Sequence, residues 1–531
     1  MLTLVPILFL ILSAVAVRFL RNLERGQGYS WMTAILTVLA AWGGVMALHW
    51  LQPDALVMTH WRPFDPIHAD PIIFQWDAIS WPYAFFMVGL LLAIILTAPV
   101  RFQYKSNPVT WSANLVFVGL SLFPILAATP LAVVVAWTVL DVVELVFVLG
   151  VISDWRFRRE VVIEFVSRVF GTFLLLATMI YGYNPTQPLL FENLQPAQGA
   201  LILAAVLLRM GVIPLNLPYV RQLPLQHGLT NTLRIVTQIS ALVILARIPT
   251  SLVSETWPIF FFTLTAAACL YGGLLWLIAD NEINGRPYWF IATGSLAFLT
   301  VLQGNGPSSV LWGIALLGSG ALLFVFSTRK RGLLILPALG LLTFTGLPFT
   351  PVASAWQATA PQGGWVTLTI VTVGLLASGY IRHALRPGEP FVGFERWAQT
   401  LYVLGLGMLS VSSWVAIYLG QGLTTGRWWA GVIVLVICAA SSWVFGFRQV
   451  RENPVAGRIG WFIHATSRVG TGIGNFLRFG WLGQIFRWFF RLAQQLILLI
   501  TGVLEGEGGV LWALLLLALL LTLLTTMGGS I

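Results

Sequence analysis

Between Leu201 and Arg247 the chain reads LILAAVLLRMGVIPLNLPYVRQLPLQHGLTNTLRIVTQISALVILAR. An apolar helix opens this stretch, yet Arg209 sits inside it. Pro214, Pro218 and Pro224 then break the backbone, and an apolar helix resumes near Leu229 and carries Arg234. Few folds accept this combination. In lipid, a broken helix is tolerated only where protein or enclosed water takes up the freed backbone groups. A guanidinium at bilayer depth costs at least about 2.5–3.5 kcal/mol, so it needs a partner. A broken helix joined to a buried charge is how membrane proteins build ion sites; a snorkelling arginine beside an ordinary turn is the plainer alternative.

The rest of the chain makes a bilayer the fitting solvent. Of 531 residues 58% are hydrophobic and only 9% charged, against about 25% charged in soluble domains. Apolar runs long enough to cross a membrane lie near 2–20, 31–51, 81–99, 111–127, 130–152, 160–182, 198–217, 228–248, 257–279, 287–303, 308–327, 333–350, 364–382, 400–420, 428–447 and 509–524. A net charge of +10 would suggest nucleic acid in a soluble protein. Here the basic residues sit between apolar spans, which is the positive-inside pattern, and no nucleic-acid partner is expected. The two cysteines, Cys269 and Cys438, fall inside apolar runs and read as packing residues.

Leu2–Val17 is apolar and Arg18, Arg21 and Arg25 follow it. A cleavable signal has the reverse order, so the expectation is a retained first span with its N-terminus outside. The inward loops then carry Arg101/Lys105, Arg156/Arg158/Arg159, Arg221, Arg286, Arg329/Lys330/Arg331, Arg382/Arg386/Arg396 and Arg448/Arg451. The outward segment 52–80 carries Asp54, Asp65, Asp70 and Asp77. The expected location is a bacterial inner membrane.

A second interrupted span, LLTFTGLPFTP with Gly346, Pro348 and Pro351, lies five spans after the first. Five is odd, so a repeat of that length inverts its topology, and paired interrupted helices in inverted halves point to a path at the midplane. The fold expected is an all-α polytopic membrane protein of about 14 core transmembrane helices. It has two inverted five-helix repeats with broken helices, then an amphipathic tail and a C-terminal span. Residues 1–450 form the core, 451–505 an interfacial segment rich in Gly, Arg and aromatics, and 506–531 an anchor.

Four motifs resemble the antiporter-like membrane subunits of complex I (NADH:quinone oxidoreductase) and the related Mrp cation/proton antiporters. Ile73–Ser80, IFQWDAIS, resembles the opening of the third span. Trp137–Leu145, WTVLDVVEL, resembles the fifth, with Glu144 on the family's key carboxylate. Arg209–Pro214, RMGVIP, is similar to the seventh-span pattern of a lysine five residues before a proline, with Arg209 in the lysine's place. Gly346-Leu347-Pro348 resembles the twelfth-span break.

The resemblance implies a proton-translocating or charge-relaying subunit beside other membrane subunits, with redox cofactors and quinone belonging to partners and none in this chain. The chain also departs from the pattern. No histidine follows the seventh-span proline, and the nearest is His227; the eighth-span lysine position holds Gln238; the twelfth break has no lysine or glutamate beside it. Only the Glu144–Arg209 end of the family's path is present.

Asp141 and Glu144 are three residues apart and share one helix face, and neither can stand alone in lipid. Arg209 is the expected partner of Glu144. Glu164 and Arg168, four apart, are expected to pair locally. Arg234 is expected to line the same polar channel or to pair with Asp141, with Gln238 one turn on and His227 at the helix start. Arg209 differs from a lysine in one chemical respect: a guanidinium does not release its proton, whereas a buried lysine can. No phosphate-binding glycine loop, metal-ligand spacing, dinucleotide fingerprint or Ser/His/Asp set is present, so no catalytic site is expected.

Three readings stand at this point: a subunit of a complex-I-like NADH/quinone oxidoreductase, an Mrp-type cation/proton antiporter subunit, and a non-conducting structural paralogue that scaffolds a complex. The orientation is open to direct measurement. Single cysteines placed at Ser106 and Thr328 should be labelled from the inner side and one at Gly304 from the outer side; the opposite pattern would reverse the topology.

Overall fold

The computed structural model describes residues 2–23, 26–58, 71–100, 107–152, 154–181, 189–212, 227–249, 258–326, 331–359, 364–386, 394–422 and 424–448. The tail from 451 onward, Pro214, Pro218, Pro224 and the side chain of His227 lie outside the described residues.

The described chain is helical almost throughout. In order, the helices are α1 (Val5–Leu20), α2 (Gly26–Leu51), α3 (Ser80–Thr97), α4 (Pro108–Leu126), α5 (Pro130–Val151), α6 (Trp155–Ile180), α7 (Pro196–Met210) and α8 (His227–Arg247). They continue with α9 (Pro258–Ile278), α10 (Glu282–Leu302), α11 (Ser309–Val325), α12 (Ile335–Phe344), α13 (Ala353–Thr359), α14 (Gly364–Ala384), α15 (Arg396–Gln421) and α16 (Trp428–Arg448). Ten helical stretches are long and apolar enough to cross a membrane among the described residues, and the fold is an all-α polytopic membrane protein.

Local chemistry sets the helix starts. A proline opens α4, α5 and α7, where its missing N–H costs nothing. Asn107, Thr129 and Asn281 cap α4, α5 and α10 by accepting backbone N–H groups. Asp77, from the IFQWDAIS motif, caps α3 by accepting from the N–H groups of Ile79 and Ser80 at 3.0 and 2.7 Å.

One short element was not foreseen. Leu56–Met58 pairs antiparallel with Ile72–Phe74, so the segment read as an outward loop contains a small hairpin. It is anchored by the end of α4 through Gln75 N–H to the Leu126 carbonyl, 2.8 Å.

Helices α3, α8 and α11 form the centre. Every residue of α3 and of α11 is buried, and the membrane-length part of α8 is buried throughout. That fits their surroundings: α3 packs on α2, α4, α8, α11 and α15, while α8 packs on α3, α4, α7, α10 and α11. A helix enclosed on all sides is apolar all round unless its polar groups find partners within the protein. The periphery shows the opposite pattern. Leu8, Leu12 and Phe19 on α1, and Met32 and Leu36 on α2, are exposed as lipid-facing residues are.

Two sets of five helical positions close into rings of the same order. In the first, α4 packs on α5, α5 on α6, α6 on α7, α7 on α8, and α8 returns to α4. In the second, α9 packs on α10, α10 on α11, α11 on α12, α12 on α14, and α14 returns to α9. The fourth helix of each ring is the interrupted one. α7 ends at Gly211, φ +74°, and α12 ends just before Gly346, φ +79°. Left-handed glycine stops a helix without a Cβ penalty, so the two rings share a backbone device as well as an order. The two breaks read from the sequence are five spans apart for this reason. Span boundaries shift: α7 stops at Met210 rather than 217, and α12 at Phe344 with α13 following its break.

The second break is tightly enclosed. A Cβ on Gly346 would stand 2.1 Å from Nε1 of Trp356, and a Cβ on Gly431 of α16 would stand 2.6 Å from the Gly346 carbonyl oxygen. Gly346→Ala therefore meets both a left-handed backbone, costing about 1–2 kcal/mol, and a clash. It should lower the thermal midpoint of the detergent-solubilised chain. Gly407→Ala, at a helical position with nothing within 4 Å of its Cβ, should not; equal behaviour of the two variants would dismiss the enclosed-break account.

Candidate functional site

The first ring holds a charged interior. α8 brings Thr230, Asn231, Thr232, Arg234, Thr237, Gln238 and Ser240 into the protein, all buried. α5 contributes Asp141 and Glu144, α6 contributes Glu164 and Arg168, and α7 contributes Arg209, whose side chain is fully enclosed. Taking one ion from water into such an interior costs several kcal/mol, so the arrangement persists only if every charge is met.

Arg209 is met four times. Its Nη1 and Nη2 donate to Oδ2 and Oδ1 of Asp141, each at 2.8 Å, a two-point fork. Its Nε donates to Oγ of Ser240 at 2.9 Å, and the guanidinium lies 4.3 Å from the ring centre of Trp137. Arg168 donates through Nη1 to Glu144 Oε2 at 2.6 Å and to Thr237 Oγ1 at 3.2 Å, and that nitrogen is 3.6 Å from Asp141 Oδ1. Arg234 donates through Nη1 to Glu164 Oε1. Three carboxylates thus balance three guanidiniums.

Asp141, Glu144, Arg209 and Arg234 lie in one network, but their pairing differs. Glu144 does not pair with Arg209; it takes Arg168, while Arg209 goes to Asp141. The physical reason is the fork: Asp141 presents both oxygens to the guanidinium plane, which one oxygen of Glu144 does not match. Glu164 and Arg168 do not pair locally either, because Arg168 is drawn across to α5 and Glu164 to Arg234 of α8. Arg234 therefore pairs with Glu164 and not with Asp141. Gln238 donates to the Phe290 carbonyl of α10 at 3.1 Å. α8 starts at His227 as expected. Arg286, counted from the sequence among loop charges, is a buried residue of α10 that donates to Asn231.

Arg168 and Arg286 were the residues sequence reasoning undervalued. Their signal was present as a lone arginine within an apolar run. For Arg168 the nearby glutamate offered a simpler local pair, and for Arg286 the proximity of a loop did.

The second ring holds a different interior, whose buried titratable groups include Arg286 on α10 and His383 on α14, the latter with Nε2 3.1 Å from the Trp276 carbonyl. Trp137 stands seven residues after the first residue of α5 and lies on Arg209, two residues before Gly211. Trp289 stands seven residues after the first residue of α10 and lies 5.6 Å from Phe344, two residues before Gly346. Counting on from the tryptophans, Asp141 matches Thr293 and Glu144 matches Leu296. Trp276, Trp289, Phe324, Phe344 and Tyr380 fill this ring, edge to face except for the tilted Trp289–Tyr380 pair, with centroids 5.0–6.2 Å apart. Its buried polar groups near the break are hydroxyls: Ser319 and Thr343 at 2.5 Å, and Thr300 and Thr359 at 2.8 Å.

No group of His, Cys, Asp and Glu able to hold a metal occurs among the described residues. A cavity of about 480 Å³ lies where α3 begins, between His49, Asp54, Asp77 and Trp81. It touches none of the network, so we place the candidate site at the charges and not at the cavity. Asp77 there pairs with Arg247 at 2.7 Å, which sets the start of α3 beside the end of α8 as the alternating loops require.

The network's energetics give a direct test. Asp141→Ala leaves Arg209 enclosed without its carboxylate, a loss of about 3–5 kcal/mol for a broken buried pair. Replacing both members, Asp141→Leu with Arg209→Met, should cost less, because no orphan charge remains. Thermal unfolding of wild type, the single variants Asp141→Leu and Arg209→Met, and the double variant checks this; a double variant that sums the two single losses would show the pair to be two independent sites.

No protein-family model matches the sequence, and no curated protein matches it. Solved structures do. The membrane-bound sulfane sulfur reductase, an archaeal respiratory membrane complex, contains a chain similar over 97% of this one and 99% of its own length, with TM-score 0.65 and 14% identity. The Mrp complex from Dietzia sp. contains one similar over 99% of this chain, with TM-score 0.70 and 14% identity; the match spans 63% of that longer chain. Respiratory complex I from Thermus thermophilus contains one similar over 78% of this chain and 98% of its own, with TM-score 0.56 and 17% identity. All three are chains of membrane complexes, and the protein described here has the fold that they share.

Proposed function

We propose that this chain is an antiporter-like subunit of a multi-subunit, ion-gradient-linked membrane complex, in which the first ring relays charge and the second completes no proton path. The observation that carries this reading is the contrast between the two rings. The same tryptophan and the same glycine stop frame Arg209 in one and Phe344 in the other. A proton wire needs titratable groups or water in series. Around its break the first ring offers carboxylates where the second offers aromatic rings, hydroxyls and a buried imidazole, His383 against Trp276.

The cations support the same conclusion. The chain has only two lysines, Lys105 and Lys330, and both lie between spans in the sequence. Every cation in the network is an arginine, which stays charged and therefore acts as a fixed counter-charge, not as a proton carrier. What the network is suited to do is change the field at Asp141, Glu144 and Glu164 when a neighbouring charge moves. The role assigned here is charge relay within an assembly that resembles complex I, the sulfane sulfur reductase or the Mrp complex; electron donors and quinone chemistry belong to partner subunits. The interlocked pairing of Arg209 also favours a second reading, a structural paralogue that only scaffolds.

Two measurements separate these. The purified chain alone in proteoliposomes should pass protons no faster than empty vesicles after a pH jump, and specific flux would overturn the incomplete-path reading. In the assembled complex, Glu144→Gln should lower proton pumping several-fold while assembly persists, since Gln keeps the shape and removes the charge. Unchanged pumping in an otherwise active complex would leave the scaffold.

A further inference from the structure

Arg286 breaks the balance of the network. Asp141, Glu144 and Glu164 are matched by Arg168, Arg209 and Arg234, so Arg286 is a fourth guanidinium with no carboxylate partner among the described residues. Only 4% of it is exposed. Its Nη1 donates to Oδ1 of Asn231, a neutral amide, and its guanidinium lies 5.9 Å from the ring centre of Phe324. The charge that bears on it is Arg234, a second cation. Glu282, one turn earlier on α10, is part-exposed. A buried charge beside a like charge is unfavourable by several kcal/mol unless a counter-charge is supplied.

The chain nearby does not supply one in sequence. Residues 213–226, which lead into α8, and 327–330, which follow α11, contain Arg221, Arg329 and Lys330 and no Asp or Glu. The backbone adds to the imbalance. Asn231 is four residues after the start of α8, and Arg286 is four residues after the start of α10. Two helix N-termini, each carrying about half a positive charge, thus open at this end. One C-terminal end, that of α11, opposes them, and its Phe324 carbonyl already accepts from Asn231 Nδ2 at 3.4 Å.

We infer that Arg286, with Asn231 and the N-terminal turns of α8 and α10, binds a phosphate-type oxyanion, either a phospholipid headgroup or free phosphate. A guanidinium favours an oxyanion over a spherical ion because its planar fork offers parallel N–H donors, and helix N-termini are established cradles for phosphate. Arg286 has Nε and Nη2 without an acceptor among the described residues. The basic loops assign this end to the cytoplasmic side, where anionic headgroups lie within about one helical turn of the helix starts. The inference stands apart from the relay reading, since it needs only the unmatched charge.

The test uses the full-length protein, delipidated in detergent. Inorganic phosphate, chloride or phosphatidylglycerol is added separately while thermal unfolding is followed. Wild-type protein should gain about 2 °C or more at saturating phosphate or phosphatidylglycerol, because a ligand bound only by the folded state stabilises it. Gain with phosphatidylglycerol alone identifies the source as lipid; gain with inorganic phosphate identifies a free-ion site. Arg286→Gln should abolish the gain and, without anion, unfold no earlier than wild type, since it removes an uncompensated charge. Should Arg286→Gln fail to fold, Arg286→Lys, which keeps the charge and loses the fork, should show a weakened gain, and binding of radiolabelled phosphate to wild type gives the affinity directly. Absence of a gain with both inorganic phosphate and phosphatidylglycerol, a gain that Arg286→Gln retains, or a response to chloride alone overturns the inference.

Discussion

The two-point bond between Arg209 and Asp141 is the interaction on which the first half of the molecule depends. It lies where no water competes, so its partners must be delivered by packing. α5 delivers Asp141, α7 delivers Arg209, and α8 delivers the Ser240 hydroxyl that takes the third donor. Trp137 closes the remaining face. Moving any of these helices by the width of a side chain would strand a charge. The ring of α4 to α8 is therefore held in register by charge as much as by apolar contact.

The second ring reaches the same closure by other means. Where Arg209 meets Trp137, Phe344 meets Trp289, and the contact changes from cation over ring to ring against ring. An aromatic cluster of this kind needs no counter-ion, and its stability comes from dispersion and burial. The backbone is conserved between the rings within one molecule, down to the left-handed glycine that stops the fourth helix, while the side chains have diverged in chemistry. That divergence separates what the fold requires from what a charge path requires.

Much of the architecture was legible in the sequence because a bilayer imposes it. Apolar runs gave the helices, Gly346 with Pro348 gave the second break, and the spacing of the two breaks gave the repeat. Asp141, Glu144, Arg209 and Arg234 were identifiable because charges in apolar runs are costly. The partner of each charge was not legible. Glu164 and Arg168 sit at a spacing that favours a local pair, yet both reach other helices, since tertiary placement of α5 and α8 outweighs the few tenths of a kcal/mol an i,i+4 pair supplies. Arg286 was missed because position along the sequence does not say whether a residue at a helix start faces solvent or the neighbouring helix.

The arginines decide what kind of response the network is able to make. With no lysine in the spans, an arriving charge cannot be answered by release of a proton from a cation. It must be answered by protonation of a carboxylate or by movement of a guanidinium. Arg209 is held at all three nitrogens and by a ring face, so it is poorly placed to move. Arg168 is different. Its contacts to Glu144, Thr237 and Asp141 all run through Nη1, and its Nε is buried without a partner. Arg168 is bound to Glu144 at 2.6 Å and stands 3.6 Å from Asp141, whose two oxygens Arg209 already occupies, so a shift away from Glu144 would leave that carboxylate uncompensated. Arg209, which stands at the position of the family's lysine, is thus the anchor of the network, and Arg168 on α6 is the guanidinium held at fewer points.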